Sequence, residues 1–309
     1  ADVLRLDEVE IPEPGPGQVS IDVAYAGANF AEILYRQGVV DVPLPFVPGI
    51  EVSGRIRALG PGVEGLRVGQ PVAALTIVDS GGYAEVVTTS AELVSPLDGY
   101  DLGLGIAAAL PSNSTTAFLV LDRVARIEPG ENVLVHAAAG GVGSQLGQAA
   151  RLLGAGRVVG TVGSAAKIEK AKAFGYDEVV LREQVAEAGR FDVVVDMVGG
   201  TTRRTSLDLL APMGRMVVMG NASGAEDVGI SANEVWFTNK TVSGFNLAAF
   251  SAAFPAQAGR ALHRAVAAAA SGELRVQVES LRLEQAAEAH RRIESGRTTG
   301  KLVLEIERM

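Results

Sequence analysis

The sequence predicts an α/β chain in which a doubly wound parallel-sheet domain is inserted into a small β-barrel domain. The first hundred residues contain short β segments punctuated by glycine and proline. The middle of the chain alternates buried apolar strands with helices, and the end returns to a strand that has no partner sheet of its own. We therefore expect one domain from residues 1–110 and 248–309, and a second from residues 111–247.

The first domain is predicted from alternating apolar residues and turn residues. One helix, over 29–37, interrupts the strands and is ended by Gly38. Prolines and glycines over 12–17 form a rigid turn before the first strand, and Gly60-Pro61-Gly62 joins two later ones. The predicted strands are 18–27, 51–59, 70–77 and 83–89.

The middle of the chain predicts a parallel sheet covered by helices on both faces. Helical segments are expected over 107–109, 115–124, 144–153 and 165–174. The predicted strands are 132–137, 157–162, 178–181, 192–196 and 215–220. The tail is expected to add helices 256–271 and 283–295, an extended segment 276–283 and a strand 301–306, and we place it on the sheet of the first domain.

Composition excludes several classes of function. The 309 residues include 36 acidic and 27 basic ones, so the formal charge of −9 opposes binding to nucleic acid or to an anionic membrane. Without cysteine, a disulfide framework, a thiol nucleophile and a zinc finger are impossible. No run of about 18 apolar residues predicts a membrane span, and no signal peptide is visible, so we expect a cytoplasmic protein.

The segment His136–Gly143 (HAAAGGVG) is the central functional motif. Small residues are expected at the spacing G-x-G-x-x-G between a strand and a helix where a dinucleotide binds, and Ala138, Gly140 and Gly143 occupy that spacing. The turn lets the backbone approach the pyrophosphate, and the helix N-terminus offers free N–H groups. A glycine-rich turn without a ligand is the alternative, which the strand–turn–helix context disfavours.

Charge at the end of the second strand indicates which dinucleotide is bound. Enzymes that use NAD usually place an acidic residue there, but residues 160–164 contain none. Ser164 and Lys167 would suit the additional phosphate of NADP. A solvated, charged helix face is the alternative, and it accounts for Lys170 and Lys172 better than for Lys167.

Over nearly its whole length the chain resembles the medium-chain dehydrogenase/reductase superfamily, most closely the zinc-independent quinone oxidoreductase branch (zeta-crystallin-like enzymes). The motifs that carry the resemblance are Gly27-Ala28-Asn29-Phe30-Ala31-Glu32, Val47-Pro48-Gly49-Ile50-Glu51-Val52-Ser53-Gly54, His136–Gly143, Asp196-Met197-Val198-Gly199-Gly200 and Gly220-Asn221-Ala222-Ser223-Gly224. The chain starts just inside the family's usual N-terminus, so we expect a first strand of the family to be missing.

The resemblance implies a GroES-like catalytic domain, a Rossmann domain, an active cleft between them, NADPH and commonly a homodimer joined through the Rossmann sheets. Zinc-dependent relatives bind zinc with a Cys in the segment matching residues 27–32 and with a Gly-His-Glu sequence. Here Asn29 lies in the first segment and Ile50 replaces the His. We therefore expect no catalytic zinc.

The resemblance and the glycine turn together give the predicted site. Catalytic candidates are Asn29, as a hydrogen-bond donor to the substrate, and Tyr35 and Tyr83, as proton donors for which aromatic packing is the alternative. Turn capping is the alternative for Asn29, Asn221 and Ser223. The predicted cofactor-binding residues are Asn29, Thr116, Ala138, Gly140, Gly141, Val142, Gly143, Ser164, Lys167, Arg182, Val198, Asn221, Ser223, Phe245, Asn246, Leu247 and Lys301.

Two departures from the family pattern concern the ligands. Arg182 stands where relatives often have a Tyr that touches the 2′-phosphate, and a guanidinium can bind phosphate as well. Val40 stands where relatives often have a Tyr after the first helix, which leaves the choice of substrate open.

The function expected from these residues is hydride transfer from NADPH to a quinone or another α,β-unsaturated carbonyl compound. A conjugated acceptor spreads the developing charge, so weak donors suffice without zinc. One alternative is reduction of enoyl thioesters, although the arginines of the first hundred residues form no clear basic entrance for such substrates. The other alternative is an NADPH-binding protein without turnover.

Overall fold

The computed structural model describes residues 1–306, which form two compact units. The first unit combines Ala1–Thr115 with the chain from Leu247 onward, and the second is Thr116–Asn246. The strands are β1 (Gln18–Ala28), β2 (Glu51–Leu59), β3 (Pro71–Leu75), β4 (Val86–Ser90), β5 (Val94–Pro96), β6 (Asn132–Val135), β7 (Arg157–Val162), β8 (Glu178–Leu181), β9 (Phe191–Asp196), β10 (Leu210–Val218), β11 (Thr241–Gly244), β12 (Val278–Arg282) and β13 (Lys301–Glu305).

Helices connect these strands, and several of them are short. They are α1 (Phe30–Arg36), α2 (Leu104–Ala107), α3 (Asn113–Phe118), α4 (Gly141–Leu152), α5 (Ile168–Lys172), α6 (Thr201–Leu209), α7 (Ala232–Phe237), α8 (Leu247–Ala253), α9 (Pro255–Ala270) and α10 (Ala286–Glu294). Among the described residues, none of the helices combines the length and apolar character that crossing a membrane requires.

The first unit is built on a sheet of seven strands in the order β12-β13-β1-β2-β3-β5, with β4 also paired to β1. The alternating residues Val19, Ile21 and Val23 of β1 are buried in its core, as their period of two predicts. Strand β13 pairs antiparallel with β1 and parallel with β12. The tail therefore returns to the sheet of the first unit, as predicted.

The second unit is a six-stranded parallel sheet in the order β11-β10-β9-β6-β7-β8. Its central strands have continuous apolar runs, and Val133–Val135 and Val193–Val195 are fully buried because helices cover both faces. This strand order reverses next to β6, the point at which ligands bind in such sheets. The predicted doubly wound architecture is confirmed.

Several predicted element boundaries change in the structure. The segment expected to be one helix over 115–124 divides into α3 and a π-helical turn, Leu119–Val124. The strand expected from residue 83 begins at Val86, because Gly82 and Tyr83 donate their N–H groups to Gly49 and Pro48 rather than to a sheet neighbour. Strand β11 is too short and too exposed for its pattern to predict it.

Candidate functional site

The glycine turn of the second unit follows the central strand β6 and begins α4. Ala137 has a positive φ of 54°, and Gly140 is the N-cap residue of α4. A Cβ atom on Gly143 would lie 2.2 Å from the carbonyl oxygen of Ala137, so glycine is required at this contact of helix and strand. The chain therefore forms the strand–turn–helix unit that the glycine spacing predicts.

The first turn of α4 has the properties of an anion-binding site. Gly141, Val142 and Gly143 form this turn, which contains no acidic side chain, and Ala138 is buried before it. The first N–H groups of a helix have no partner within the helix, and the helix dipole adds partial positive charge at this end. This edge of the sheet can hold a pyrophosphate.

His136 lies directly before the turn and is a neutral interior residue. Its Nδ1 is 2.8 Å from Thr161 Oγ1, and its Nε2 is 2.9 Å from Ser206 Oγ. Because Ser206 donates its own hydrogen to the carbonyl of Thr202, Ser206 accepts from Nε2–H and Thr161 donates to Nδ1. Burial lowers the pKa of His136 to about 4. His136 therefore links β7 and α6 through hydrogen bonds and has no free proton to donate.

Positively charged side chains lie near the C-terminal ends of β7 and β8. The pKa of Lys167 is lowered by burial and then by the neighbouring Lys170 and Arg182 cations. A Cβ atom on Gly163 would lie 3.6 Å from Arg182 Nη2, which locates the guanidinium beside the end of β7. The Nε of Arg182 is buried with no hydrogen-bond partner in the described part of the chain, and Ser164 is exposed next to Gly163. These groups can accommodate a phosphate.

The loop after β9 is held by the buried carboxylate of Asp196. Its Oδ1 accepts from the backbone N–H groups of Val198 at 2.8 Å and Gly199 at 3.0 Å. Its Oδ2 accepts from Arg203 Nε at 3.1 Å, and Arg203 also donates to the carbonyl of Gly220 at 2.8 Å. One arginine thus ties together the loops after β9 and β10, and Val198 is buried at the carboxyl edge of the sheet.

Asn221 and Ser223 lie exposed on the loop after β10 and bond to each other. Ser223 Oγ donates to Asn221 Oδ1 at 3.1 Å, and Asn221 Nδ2 donates to the carbonyl of Ala225 at 2.8 Å. These hydrogen bonds are the turn-capping arrangement that such side chains often adopt. Contact of these two residues with a cofactor stays a prediction.

Four other predicted contacts lie near the ends of the units. Thr116 is buried within α3 at the start of the second unit. Phe245 is half-buried and Asn246 is exposed after β11, and Leu247 is buried at the start of α8 in the first unit. Their role at the cofactor also stays a prediction.

Asn29 of the first unit is buried among charged side chains. Its Nδ2 donates to Glu51 Oε1 at 2.8 Å and lies 3.4 Å from the carbonyl of Gly27. Lys301 Nζ donates to Asn29 Oδ1 and to Glu51 Oε1, and the Lys301 side chain is only 3 % exposed. Lys301, a predicted cofactor contact, is therefore engaged with an acid and an amide inside its own unit.

Glu32 adds a second buried carboxyl to this group. It accepts from the backbone N–H groups of Asn29 at 3.0 Å and Ile50 at 3.2 Å. Burial raises the pKa of Glu32 to about 7, an effect that the Lys301 ammonium opposes. The first unit therefore contains a buried carboxyl that changes its protonation state near neutral pH.

The two tyrosines predicted as proton donors have different surroundings. Tyr35 is half-buried and packs edge-to-face on Phe46, with ring centroids 5.6 Å apart. Tyr83 is buried, and its Oη lies 3.3 Å from His290 Nε2. Arg36 Nη1 lies 3.2 Å from His290 Nδ1, and because a guanidinium can only donate, Nδ1 carries no hydrogen. The hydrogen of the neutral His290 ring is therefore on Nε2, which donates it to Tyr83 Oη. Burial raises the pKa of both tyrosines, and their catalytic role stays a prediction.

Comparison with known proteins identifies the family. Residues 15–99 match the alcohol dehydrogenase GroES-like domain, and residues 174–304 match the zinc-binding dehydrogenase family. A probable quinone oxidoreductase of Schizosaccharomyces pombe is 34% identical, over 98% of this chain and 93% of that protein. This chain belongs to the quinone oxidoreductase family of medium-chain dehydrogenases/reductases. The human synaptic vesicle membrane protein VAT-1 homolog-like is 33% identical, over 99% of this chain and 78% of that protein.

Solved structures of quinone oxidoreductases have the same fold. That of Pseudomonas syringae pv. tomato has a TM-score of 0.89 at 33% identity and covers 98% of this chain and 96% of its own. That of Escherichia coli in complex with NADPH has a TM-score of 0.87 at 29% identity, with the same coverage. The first unit is therefore a GroES-like domain and the second a Rossmann-type domain, and the chain is an oxidoreductase of this family.

The side chains of this quinone oxidoreductase family member do not fit a zinc ion, although one of the two matching families is named zinc-binding dehydrogenase. The chain has no cysteine, and the described residues contain no group of three or more His, Asp and Glu side chains that could hold a metal ion. Two buried acids of the described residues, Glu32 and Glu51, lie near the Lys301 ammonium, which bonds Glu51.

Three residues that organise these regions lie outside the predicted site. Glu32 and Glu51 are part of the family motifs without an assigned role, and Arg203 lies on a helix that the sequence does not predict. A signal was available for the two acids, since each lies within an apolar stretch, where a charged side chain needs a partner. Their partner Lys301 is distant in sequence, so periodicity could not have paired them.

Proposed function

We propose that the protein is an NADPH-dependent reductase of quinones or other α,β-unsaturated carbonyl compounds. The observation that carries the proposal is the cation pair Lys167 and Arg182, near a strand end that has no acidic residue. An acid there would bind the ribose of NAD, whereas cations suit the 2′-phosphate of NADP. The relatives named quinone oxidoreductase and the E. coli complex with NADPH support the same cofactor and substrate class.

Residues of the second unit provide candidate sites for two parts of this cofactor, its pyrophosphate and its 2′-phosphate. The first turn of α4, from Gly141, would hold the pyrophosphate. Lys167, Arg182 and Ser164 would hold the 2′-phosphate, and the unpartnered Nε of Arg182 supplies a donor for it. Further predicted cofactor contacts are Asn29, Thr116, Val198, Asn221, Ser223, Phe245, Asn246 and Leu247, and the resemblance assigns Asn29 and residues 245–247 to the nicotinamide end.

The chemistry proposed for the substrate is reduction without a metal. NADPH, when bound, supplies a hydride. The protein's task is to orient the acceptor and to exclude water, and conjugation in a quinone or enone spreads the charge that develops on oxygen. A proton completes the reduction, and solvent or one of the two tyrosines would deliver it.

Replacement of the two cations tests the choice of cofactor. We expect Lys167→Met and Arg182→Met each to weaken NADPH binding about tenfold and to leave NADH binding nearly unchanged, because a charge-assisted bond to phosphate is lost. Lys172→Met is the matched control, since Lys172 is on the same helical segment and pairs with Glu169 at 2.7 Å. Isothermal titration calorimetry gives both constants. Equal loss for NADH and NADPH would refute the assignment of the 2′-phosphate.

An acceptor panel tests the reaction. Loss of NADPH absorbance is followed with benzoquinone, an alkenal and crotonyl-CoA, and we expect turnover with the quinone or the alkenal. Turnover with crotonyl-CoA alone would replace the proposal with reduction of enoyl thioesters. No turnover with any acceptor, together with tight NADPH binding, would leave a binding protein.

We also propose a homodimer joined through the second unit. Strand β11 is an edge strand, and an unpaired edge favours pairing with another chain. Trp236 and Phe237, on α7 just before it, stack on each other and are 69% and 72% exposed. We expect light scattering to give a dimer, and Trp236→Ser with Phe237→Ser to shift it toward monomer. A monomeric wild type would contradict the proposal.

A further inference from the structure

Three charged side chains surround Asn29 in the first unit. Glu32 comes from α1, Glu51 from β2 and Lys301 from β13, and they are 0%, 0% and 3% exposed. With every group ionised, two acids and one base leave one net negative charge in a place that water does not reach. Such a group binds an additional proton far more readily than the same side chains would at the surface.

Hydrogen bonds give the two carboxyl groups different roles. Glu51 accepts from the Lys301 ammonium, from Asn29 Nδ2 at 2.8 Å and from the backbone N–H of Ser112 at 2.7 Å. Glu32 accepts from two backbone N–H groups and lies 3.5 Å from the Asn29 amide nitrogen, and none of these donors carries a charge. The ammonium stabilises Glu51 as a carboxylate, so the additional proton belongs on Glu32.

The same contacts fix the orientation of the Asn29 amide. Its oxygen accepts from Lys301, which can only donate, and its nitrogen donates to the Glu51 carboxylate, which can only accept. Rotating the amide by half a turn would bring two donors together on one side and two acceptors together on the other. Only one orientation is compatible with these neighbours.

Two tyrosines are the other titratable groups that face Glu32. The Glu32 charge, after burial, raises the pKa of both Tyr83 and Tyr35. The Tyr83 hydroxyl is hydrogen-bonded to His290, and His290 is hydrogen-bonded to Arg36. Neither tyrosine neutralises Glu32, so the proton count of the group depends on Glu32 itself.

We propose that Glu32, Glu51 and Lys301 are positioning residues for the reaction, holding the Asn29 amide in one orientation and carrying one exchangeable proton on Glu32. The proposal rests on the proposed function because it takes Asn29 to lie beside the nicotinamide. Lys301 then acts through Asn29 and does not itself touch the cofactor. Glu32 sets how many charges surround that amide as the pH passes through neutrality.

Infrared spectroscopy of the protein without cofactor or substrate tests the proton directly. We expect the carbonyl-stretch band of a buried protonated carboxyl below pH 7, its loss above pH 7, and its absence from Glu32→Gln at either pH. Glu305→Gln is the control, since Glu305 lies on the same strand as Lys301 but accepts from Tyr25 Oη at 3.1 Å. A band that persists in Glu32→Gln, or no band in the wild type, would overturn the proposal.

Single-turnover kinetics test the positioning role. We expect Lys301→Met to slow hydride transfer between about tenfold and a hundredfold, while the Kd of NADPH changes less than about threefold, because a misplaced group lowers the rate and not the binding. Lys301→Arg keeps the charge and is expected to recover most of the rate. The pH profile should show an inflection near pH 7 that Glu32→Gln lacks and Glu305→Gln keeps.

The opposite result in these kinetics would identify Lys301 as a cofactor contact. Weaker NADPH binding by Lys301→Met with an unchanged rate of hydride transfer would overturn the positioning role. Failure of the wild type to reduce any acceptor would refute the proposed function, and the infrared experiment would still decide whether Glu32 holds the proton.

Discussion

The two units bury charge in different ways. In the GroES-like unit there are two buried acids and one ammonium, and the ammonium bonds Glu51 while Glu32 receives no charged donor. In the Rossmann-type unit, Asp196 meets one guanidinium, from Arg203, and also accepts two backbone N–H groups. The first arrangement buries an excess of one negative charge and depends on pH. In the second the buried charges balance, since the other acid that Arg203 contacts, Asp227, is exposed, and backbone dipoles complete the contacts of Asp196.

This difference indicates what each group of residues does for the site. The balanced pair in the second unit fixes the backbone of two loops, and a constant shape is sufficient for holding a cofactor. The unbalanced group in the first unit surrounds an amide and binds a proton, which suits a place where charge changes during a reaction.

The largest expected effect follows from removing the only base of the first group. Lys301→Met leaves the Glu51 carboxylate buried without its cation, and we expect a loss of about 3–5 kcal/mol in the free energy of unfolding. Urea denaturation measures this loss. Adding Glu51→Gln should restore part of it, because the uncompensated charge disappears. A loss below about 1 kcal/mol would show that water reaches the group.

The pH dependence of stability tests whether Glu32 binds a proton in the folded protein. Because its pKa is raised to about 7 in the folded protein, the native state binds more protons than the unfolded state between about pH 4.5 and 7. The stability that Glu32 contributes is therefore present below this window and is lost as the pH rises through it, by at most about 3.4 kcal/mol.

Glu32→Gln isolates this contribution. The buried residues His136 and His290, with pKa values lowered to about 4, act in the opposite direction, since their contribution is lost as the pH falls below about 6.5. In a series of urea titrations, we expect the free energy of unfolding of the wild type to fall relative to that of Glu32→Gln from acidic to neutral pH, because Gln stays uncharged. Parallel curves would contradict the raised pKa, and Glu305→Gln should follow the wild type.

Removing the base of the buried Asp196–Arg203 pair in the second unit is expected to lower the free energy of unfolding less than removing Lys301 does. Arg203→Met removes one partner of Asp196 but leaves both backbone donors, so we expect a loss of about 1.5–3 kcal/mol by urea denaturation. Arg204→Met is the matched control on the same helix. It bonds exposed Asp208 and half-buried Glu234 and should cost less than about 1 kcal/mol. If Arg203→Met lowered the free energy of unfolding as much as Lys301→Met does, the two units would not differ in how they stabilise buried charge.

Local sequence patterns predicted the second unit better than the first. Continuous apolar runs and a glycine turn define β6, α4 and β7, because each signal lies within about thirty residues. The group around Asn29 joins residues 29, 32, 51 and 301, which meet only because β13 returns to pair with β1. Spacing does not contain that information, so the resemblance pointed to Asn29 and Lys301 but not to their contact or to the acids between them.

The smallest expected effect concerns the uncharged hydrogen bonds by which His136 connects Thr161 and Ser206 in the second unit. Thr161→Val keeps the shape of the side chain but leaves His136 Nδ1 without a donor, and we expect a loss of about 1–2 kcal/mol. Thr205→Val, at a half-buried position on α6, is the control and should change stability by less than about 0.5 kcal/mol. Nitrogen NMR of His136 should also show that Nε2 keeps its hydrogen, because Ser206 still accepts it. If Thr161→Val proved as damaging as Lys301→Met, an uncharged bridge would matter as much as a buried charge, and the distinction between the two units would fail.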